Sequence, residues 1–349
     1  MTAETAAPAH QAAIAAVADR VGIADLGYCL LWAIDARQWN RIADLCDTEI
    51  SVSWQDPAAL PRSFNGRDAT INGMRTLFGT VASHHQATNE LIEVNADRAV
   101  LRWLVVGRYR ASTMRGNDGC MIQAEQRIAL NRRPSGWRIC SIKHSNYWVD
   151  GNPGVLHTVL PPPSKAAPAA SFRPTSFDGI EQQGLSALLD RAAIYDVMMR
   201  FGRGLDGKDW QLYRSCFGKS LILDFSSTTG EPAREVDADL FVEFAEARQR
   251  SHTAFHQYSN FRVDIRGDRA DCILYMVARH RVSESGHGDP LNVLVGWYEN
   301  EFVRGPDGWK ISVLRAPVHW VEGNALIKDK TDPTVEEISR RLFAKEGLH

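Results

Sequence analysis

The chain lacks the features that mark several specialised classes of protein. Its six cysteines form no CxxC pair, so neither a zinc ribbon nor a thiol–disulfide motif is indicated. No apolar run approaches the ~18–20 residues of a membrane-spanning helix, and the first residues, MTAETAAPAH, do not resemble a secretory signal. A formal net charge of −2 leaves no basic excess for nucleic acid or a membrane surface. We expect a reduced, cytoplasmic protein that binds neither.

Motifs for bound phosphates, nucleophiles and metals are missing as well. There is no GxSxG, no Walker loop, and no GxGxxG that opens a helix after a strand. His252 and His256 have an i, i+4 spacing, but no third ligand is near, and Val81 occupies the equivalent of His252 in the first half. The sequence therefore predicts neither a cofactor nor a metal ion.

What the chain does contain is a copy of itself. Its 349 residues align with themselves at an offset of 171 for about ninety positions, and at 172 after one extra residue in the second half. The matched pairs include Asp35 with Asp206, His85 with His256, Asn89 with Asn260, Arg108 with Arg279, and Gly136–Trp137 with Gly308–Trp309. A repeat this long indicates two tandem domains, because solenoid repeats span only about 20–50 residues.

The boundaries between the domains follow from proline. Six of the fifteen prolines lie between Pro153 and Pro174, and proline favours an extended, linker-like backbone. We predict a first domain at 12–155, a linker at 156–183, a second domain at 184–330, and a C-terminal segment at 331–349. That last segment is expected to form an amphipathic helix over about 333–346, and residues 1–10 are expected to form a loose tail.

The hydrophobic pattern of one repeat predicts an α+β fold. In the second half an apolar stripe through Phe201 indicates a helix, which glycines end around Asp206. Two further helices are expected, one at 210–216 and one that is capped by Asp237 or Asp239 and ends near Arg250. Strands are expected at 221–225, 261–265, 269–283, 291–304 and 309–320. Both faces of 272–278 are apolar, so one should line a helix-covered cavity and the other should pack on a second sheet, from the sister repeat or another chain.

The repeated motifs resemble those of the SnoaL-like branch of the nuclear transport factor 2-like superfamily. The resemblance is carried by a histidine about fifty residues after an aspartate, a GDRA-type turn, a GW turn and a W-x-x-G-N ending, and it covers both halves. The second half is the closer match, with LDGKDW, AFHQYSN, IRGDRA, GWYENEFVRGPDGWKI and HWVEGN. The resemblance implies two tandem cone-shaped α+β barrels with apolar pockets that pack on each other as an intrachain pseudo-dimer, which could form further homo-oligomers.

The same resemblance implies the chemistry. Its members include scytalone dehydratase, bile-acid dehydratase, ketosteroid isomerase, polyketide cyclases, the lindane dehydrochlorinase and non-catalytic binding proteins. By the family pattern Asp35 with His85, and Asp206 with His256, form dyads in which a neutral histidine is the general base and the carboxylate orients it. One of the two halves could have lost activity.

Other polar side chains are candidates for stabilising charge or binding substrate. Arg108 and Arg279 are expected to stabilise negative charge, and Tyr28 offers a phenol that only the first half has, since Met199 replaces it in the second. Solvated strand ends, salt bridges and core packing are the alternative roles. The candidates for substrate binding are Asn89, Asn260, Lys143, Arg315, Tyr147, His319, Trp54 and Tyr275.

These residues predict a cofactor-independent lyase that acts on a small hydrophobic cyclic or aromatic compound. Proton abstraction by histidine would be followed by elimination of water, halide or a one-carbon fragment. Two alternatives stay open: an isomerase of the ketosteroid type, which returns the proton, and a non-catalytic protein that binds a small molecule.

Overall fold

The computed structural model describes residues 3–55, 61–111, 118–157, 178–229, 232–282, 290–324 and 333–343. The chain divides into two compact units, Met1–Leu185 and Ser186–His349. Most of the predicted linker (158–177) and two parts of the predicted C-terminal segment (331–332 and 344–349) lie outside the described residues. The domain boundaries drawn from the sequence, and the expected packing of the two sheets on each other, stay predictions.

The first repeat begins with two helices and ends in a meander of long strands. Its elements are α1 (Ala3–Asp35), α2 (Trp39–Leu45), β1 (Cys46–Trp54), β2 (Arg62–Asn65), α3 (Arg67–Phe78), β3 (Ala82–Asn95), β4 (Arg98–Arg110), β5 (Gly119–Arg133), β6 (Gly136–Gly151) and a short 3-10 helix (Pro153–His157).

The second repeat has the same helices and strands in the same order as far as its last long strands. Its elements are α4 (Asp178–Gly207, with a kink at Gly184), α5 (Trp210–Arg214), β7 (Phe217–Asp224), α6 (Ser226–Thr229), β8 (Arg234–Asp237), α7 (Ala238–Gln249), β9 (His252–Arg266), β10 (Arg269–Val282), β11 (Leu291–Gly305), β12 (Gly308–Arg315), β13 (Val318–Gly323) and α8 (Pro333–Leu342). Among them α6, β13 and α8 are additional to the order of the first repeat.

Each repeat contains one sheet. The strand order is β2-β1-β6-β5-β4-β3 in the first and β8-β7-β12-β11-β10-β9 in the second, with β13 paired to β11. All neighbours are antiparallel except β1 with β6 and β7 with β12, which are parallel. The predicted fold class, two tandem α+β domains, is confirmed. Among the described residues the two end strands of each sheet are not paired with each other, so neither sheet closes into a hydrogen-bonded barrel.

Several elements differ from the sequence-based expectation in their ends. Helix α4 continues through the glycines to Gly207, so Asp206 lies in its last turn rather than in a break. The single strand expected at 309–320 is divided, because Pro317 has no backbone N–H to donate to a strand pair. Helix α1 begins at Ala3, where a loose tail was expected, and the short strands β2 and β8 were not predicted. Asp237, one of the two predicted caps, accepts a hydrogen bond from the Leu240 backbone N–H at the start of α7.

The second sheet is buried on both faces along β10. Cys272, Leu274 and Met276 belong to the large core beneath helices α4, α7 and α8. Val277 on the opposite face packs with Val293 and Val295 in a separate cluster. The apolar character of both faces, which the sequence shows, thus corresponds to two different buried surfaces.

The repeated asparagines explain a bend in the sheet. Asn89 and Asn260 have φ values of 58° and 54°, in the left-handed region that asparagine adopts more readily than most residues. Both lie where the pairing of β3 with β4, or of β9 with β10, shifts register by one residue. Each asparagine therefore forms a β-bulge, which bends the strand just beyond the histidine of that repeat.

A second repeated feature joins the first helix of each repeat to the end of its sheet. In the second repeat Asp190 accepts hydrogen bonds from Trp309 Nε1 at 2.9 Å and from an Arg304 Nη at 2.8 Å, and the Arg304 guanidinium lies 4.7 Å from the Trp309 ring. In the first repeat Asp19, Trp137 and Arg132 make the same contacts. We call this arrangement of an aspartate, a tryptophan and an arginine the clasp. The repeated Gly-Trp turn and the aspartate in the first helix of each repeat are thus accounted for by packing.

We predict that Asp190→Ala lowers the free energy of unfolding of the second repeat by about 2–3 kcal/mol, because an indole N–H and a guanidinium lose their charged acceptor. Urea denaturation followed by tryptophan fluorescence measures the loss. Asp268→Ala is the matched control: this carboxylate also contacts Arg304, at 3.2 Å, but its side chain is 81% exposed, so we expect a loss below about 0.5 kcal/mol. Equal losses in the two variants would contradict the clasp.

Candidate functional site

Each repeat brings one aspartate of its first helix against one histidine of its sheet. Asp35 is the last residue of α1, and Asp206 lies in the last turn of α4. His85 and His256 lie inside β3 and β9. The strand expected at 261–265 therefore begins earlier than predicted and includes His256. The helix end therefore presents a carboxylate to a histidine that the sheet holds in place.

The contact between the two side chains is the same in both repeats. His85 Nδ1 lies 2.5 Å from Asp35 Oδ1, and the His85 backbone N–H donates to Asp35 Oδ2 at 2.8 Å. The corresponding distances for His256 and Asp206 are 2.6 and 2.8 Å. The carboxylate accepts both hydrogen bonds: the one from the backbone holds the strand, and the one from Nδ1 fixes the ring and its tautomer. With the proton on Nδ1, the Nε2 lone pair faces away from the aspartate.

In the first repeat this lone pair already has a partner. The Tyr109 hydroxyl lies 2.9 Å from His85 Nε2, and Ser83 donates to Asp35 Oδ1 at 2.7 Å. Burial, and then the negative charge of Asp35, raise the pKa of Tyr109 well above its usual value. The phenol therefore stays protonated and donates to Nε2. Buried hydrogen bonds thus run in one continuous chain from Ser83 through Asp35 and His85 to Tyr109.

The second repeat has no such cap. His280 occupies the position of Tyr109, and its ring is perpendicular to that of His256, with 5.5 Å between ring centres. Among the residues that the structure describes, none forms a hydrogen bond with His256 Nε2. The Asp206 side chain is 22% exposed, against 9% for Asp35. The second dyad is thus the more accessible and has an unengaged basic nitrogen.

The register of the sheet turns the two predicted arginines away from the dyads. His85 is paired with Gly107 and His256 with Ala278, so Arg108 and Arg279, one residue further, project from the opposite face. There Arg108 donates to Gln86 Oε1 at 2.8 Å, and Arg279 donates to Gln257. An anion-stabilising role beside the histidines, which the sequence suggested, is not supported by this placement.

Alternation also separates the predicted cations of the last strand from the dyads. Lys143 is exposed, while its neighbours Ile142 and His144 on β6 are buried. Arg315 donates to Asp224 Oδ2 at 2.8 Å, in an ion pair at the end of β7. Neither cation contacts a dyad histidine in the described part of the chain.

The remaining candidates are dispersed. Tyr28 donates to Glu90 and stacks on Trp103, Tyr147 is exposed and donates to Glu125, and His319 packs on Trp320. Tyr275 lies on the face of β10 opposite Leu274 and Met276. Of this group only Trp54 lies beside the first dyad: it contacts Phe78, which in turn packs edge-on against His85. The bulge conformation of Asn89 and Asn260 accounts for their repetition without a substrate.

Sequence reasoning missed the residues that face the dyads from β4, β6 and β10. Tyr109 and His280 pack with their rings nearly perpendicular to the dyad histidines, and His144 lies close enough to His85 to feel its charge. The sequence contains a signal for Tyr109 and His280. If the strand that carries each histidine is paired with the next strand about the Gly-Asp-Arg or equivalent turn, positions 109 and 280 lie diagonally across from the histidines.

His144 is a buried imidazole of the first repeat that stacks on Trp54 at 3.7 Å. Burial, followed by the nearby His85, lowers the pKa of His144 to about 3. In the unfolded chain the pKa is about 6.5. The native state therefore excludes a proton that the unfolded state binds, and its stability is complete above pH 6.5 and falls as the pH drops toward 3.

At pH 5 we predict a loss of about 2 kcal/mol relative to pH 7.5 from this one group. His144→Phe retains the stack on Trp54 and has no titrating nitrogen, so it should flatten the acid limb of the stability profile. Urea unfolding between pH 4.5 and 7.5 measures the difference. Profiles of equal slope in the variant and the wild type would contradict the assignment.

No group of three or more histidine, cysteine, aspartate or glutamate side chains within the described ranges is arranged to hold a metal ion. In the same ranges no helix is long and apolar enough to cross a membrane.

Solved structures similar to the chain each cover about two fifths of it. The Kfla4162 protein of Kribbella flavida is 29% identical (TM-score 0.40; 41% of this chain, 99% of that one). The LinA-type3 hexachlorocyclohexane dehydrochlorinase of Novosphingobium barchaimii is 21% identical (TM-score 0.35; 42% and 97%). A candidate scytalone dehydratase of Novosphingobium aromaticivorans is 17% identical (TM-score 0.36; 40% and 90%). A comparison with curated protein sequences gives no match.

The family comparison covers both repeats. The model of the SnoaL-like domain matches residues 15–143 and again residues 186–315, which together make up most of the chain. The two matched segments contain both aspartate–histidine pairs and all the strands that hold them. The chain therefore belongs to the SnoaL-like domain family and carries two copies of that domain.

Proposed function

We propose that the chain is a cofactor-independent lyase and that its second repeat carries the reacting base, His256. The observation that supports this is the state of the two ring nitrogens. Nδ1 is fixed by Asp206 at 2.6 Å, whereas Nε2 has no hydrogen-bond partner among the described residues. A general base needs such a lone pair, within reach of the substrate and held in one orientation.

The proposed reaction is an elimination. Nε2 takes the proton from a carbon that an electron-withdrawing group makes acidic. The electron pair of that C–H bond forms a double bond, and the leaving group on the neighbouring carbon departs with its own bonding pair. Asp206 stabilises the imidazolium that forms. Water or halide would be expelled in this way, and the imidazolium proton then returns to solvent or to the leaving group.

Loss of formaldehyde from a hydroxymethyl group would use the same base differently. Nε2 would take the hydroxyl proton, the O–H electron pair would form the C=O bond of formaldehyde, and the electron pair of the broken C–C bond would stay on the activated carbon, which is then protonated by the imidazolium.

The surroundings favour a small, largely apolar ring as substrate. The second dyad borders the apolar core of its repeat: the Tyr258 ring, whose centre is 6.2 Å from that of His256, packs against this core, which is rich in aromatic side chains such as Phe201 and Tyr213. An apolar enclosure strengthens the electrostatic interactions on which proton transfer depends. The first dyad, capped by Tyr109, is proposed to be inactive as a base while that hydrogen bond persists.

The test is a panel of cyclic hydroxy-ketones, halogenated cyclohexanes and hydroxymethyl-substituted aromatics, incubated with the protein in deuterated water and analysed by mass spectrometry. A lyase yields a product that is lighter by the leaving group and the proton removed with it. An isomerase yields an unchanged mass plus incorporated deuterium, and a binding protein yields retention of an unchanged compound. Either of the last two results, with no elimination product, would overturn the proposal.

A further inference from the structure

Two tyrosines distinguish the interior of the second repeat from that of the first. Tyr258 corresponds to Ala87 at the offset of 171. Tyr298 corresponds to Gln126, as the strand pairing shows. Tyr298 lies opposite Leu274, Gln126 lies opposite Trp103, and Leu274 and Trp103 are matched at the offset of 171. In the first repeat Gln126 accepts a hydrogen bond from Trp103 Nε1 at 3.0 Å, a contact that Leu274 cannot make. The duplication has therefore kept the dyad and changed what lies beside it.

Tyr258 is placed on the dyad side of the sheet. It lies two residues after His256 on β9, so both side chains project from the same face, and their ring centres are 6.2 Å apart. The Tyr258 ring lies under Gly202, one helical turn before Asp206. A Cβ at Gly202 would approach the ring to 2.7 Å, so only glycine leaves room for it.

The first repeat fills the same space in the opposite way. Leu31 occupies the position of Gly202, and Ala87 that of Tyr258, and both are buried. The first repeat has a large residue on the helix and a small one on the strand, and the second repeat has a small one on the helix and a large one on the strand. The filled volume is therefore similar, but the second repeat gains a phenol. A leucine would fill that volume without placing a polar atom in the core, so the exchange is not explained by packing alone.

The Tyr258 hydroxyl is shielded from solvent, and it lies close enough to the Tyr298 hydroxyl for the two phenols to interact by a hydrogen bond. It lies next to Tyr298, whose ring is perpendicular to its own with 5.8 Å between centres. Burial is the main cause that raises the pKa of both phenols. The neighbouring Tyr298 and then Asp206 raise the pKa of Tyr258 further. For Tyr298, the hydrogen bond with Tyr258 lowers the pKa and Asp206 raises it, and the net shift is upward. Both hydroxyls therefore stay protonated, and they lie within electrostatic reach of the dyad.

We propose that Tyr258, positioned by Tyr298, donates a hydrogen bond to an oxygen of the substrate beside the carbon that His256 deprotonates. This rests on the function proposed above and narrows it. The substrate carries a carbonyl or a leaving hydroxyl rather than halogen alone, and the phenol keeps its proton while negative charge develops on that oxygen. Tyr258 is then a binding and charge-stabilising group, and Tyr298 a positioning residue.

The test uses 4-nitrophenol, whose oxygen accepts hydrogen bonds and whose absorbance reports ionisation, so that no turnover is required. We expect Tyr258→Phe to weaken binding of the nitrophenolate by about 10- to 100-fold, the effect of one lost hydrogen bond to a charged group. Tyr298→Phe should weaken it less and shift the absorbance of the bound probe. Tyr195→Phe is the control, because Tyr195 belongs to the same repeat but is exposed and packs on Phe261. The affinity of this variant for the nitrophenolate should equal that of the wild type.

The outcomes separate this inference from the proposed lyase activity. Unchanged nitrophenolate affinity and absorbance in folded Tyr258→Phe, or no binding by the wild type, would overturn the subsite. Weakened binding without elimination of any compound in the panel would retain the subsite and overturn the lyase. Elimination of halide from purely halogenated compounds, undiminished in Tyr258→Phe, would retain the lyase and overturn the subsite.

Discussion

His256→Gln should reduce turnover by about 10²–10⁴-fold, whereas His85→Gln should leave it within about twofold of the wild type. Glutamine retains a polar side chain of similar reach but has no basic nitrogen. The reason for the difference is the environment of Nε2, which is unengaged in the second repeat and bonded to Tyr109 at 2.9 Å in the first. Steady-state kinetics on a substrate identified by the panel, measured as kcat, gives the comparison.

The double variant completes this experiment. If only the second repeat turns over, His85→Gln combined with His256→Gln should be no slower than His256→Gln alone. A further large decrease in the double variant would show that both repeats are active, and full activity in the double variant would refute histidine as the base. Thermal unfolding of all three variants separates loss of chemistry from loss of fold.

Asp206→Asn should lower kcat by about 10²–10³-fold while changing KM little. An amide in place of the carboxylate cannot stabilise the imidazolium, and it no longer enforces the Nδ1–H tautomer. The amide oxygen can still accept from the His256 backbone N–H, a bond that is 2.8 Å in the native protein. The strand is therefore held in place while the base is impaired.

Asp35→Asn in the first repeat is the matched control, since Asp35 makes the same two bonds to His85. We expect kcat within about twofold of the wild type together with a lower melting temperature, because the buried chain through Ser83 and Tyr109 loses its charged member. A loss of kcat in Asp35→Asn as large as that in Asp206→Asn would contradict the assignment of chemistry to the second repeat.

The fold was largely predictable from the sequence because the repeat supplies each pattern twice. The apolar stripe through Phe201, the cap at Asp237 and the hairpin turn before Trp309 each identify an element that the structure contains. The ends were less predictable. Glycines do not end α4 before Gly207 because tertiary packing outweighs their low helix propensity.

The candidate site was predictable in its dyads and less so around them. Spacing alone identifies Asp35 with His85, and Asp206 with His256, as partners. Which neighbours face those histidines depends on strand register, and an error of one residue reverses the face. Arg108 is a charge-stabilising candidate in the sequence, which does not fix that register, and the structure places Tyr109 against His85 and Arg108 on the opposite face.

The contrast between the repeats also depends on three-dimensional contacts. Tyr109 and His280 occupy matched positions in the alignment, but the sequence does not show that either is close to a dyad. Their roles follow from the structure, in which each ring packs against a dyad histidine. The same holds for Gly202, whose role is clear only because the Tyr258 ring lies directly beneath it.

The most direct test of the central claim is a crystal structure of the full chain with an unreactive analogue of the substrate that the panel identifies. We predict that the analogue lies in the second repeat, with the carbon to be deprotonated about 3–3.5 Å from His256 Nε2. The first repeat should be free of the analogue, with the His85–Tyr109 hydrogen bond intact. An analogue bound against His85 in the first repeat, or one that leaves His256 out of reach of the reacting carbon, would contradict the claim.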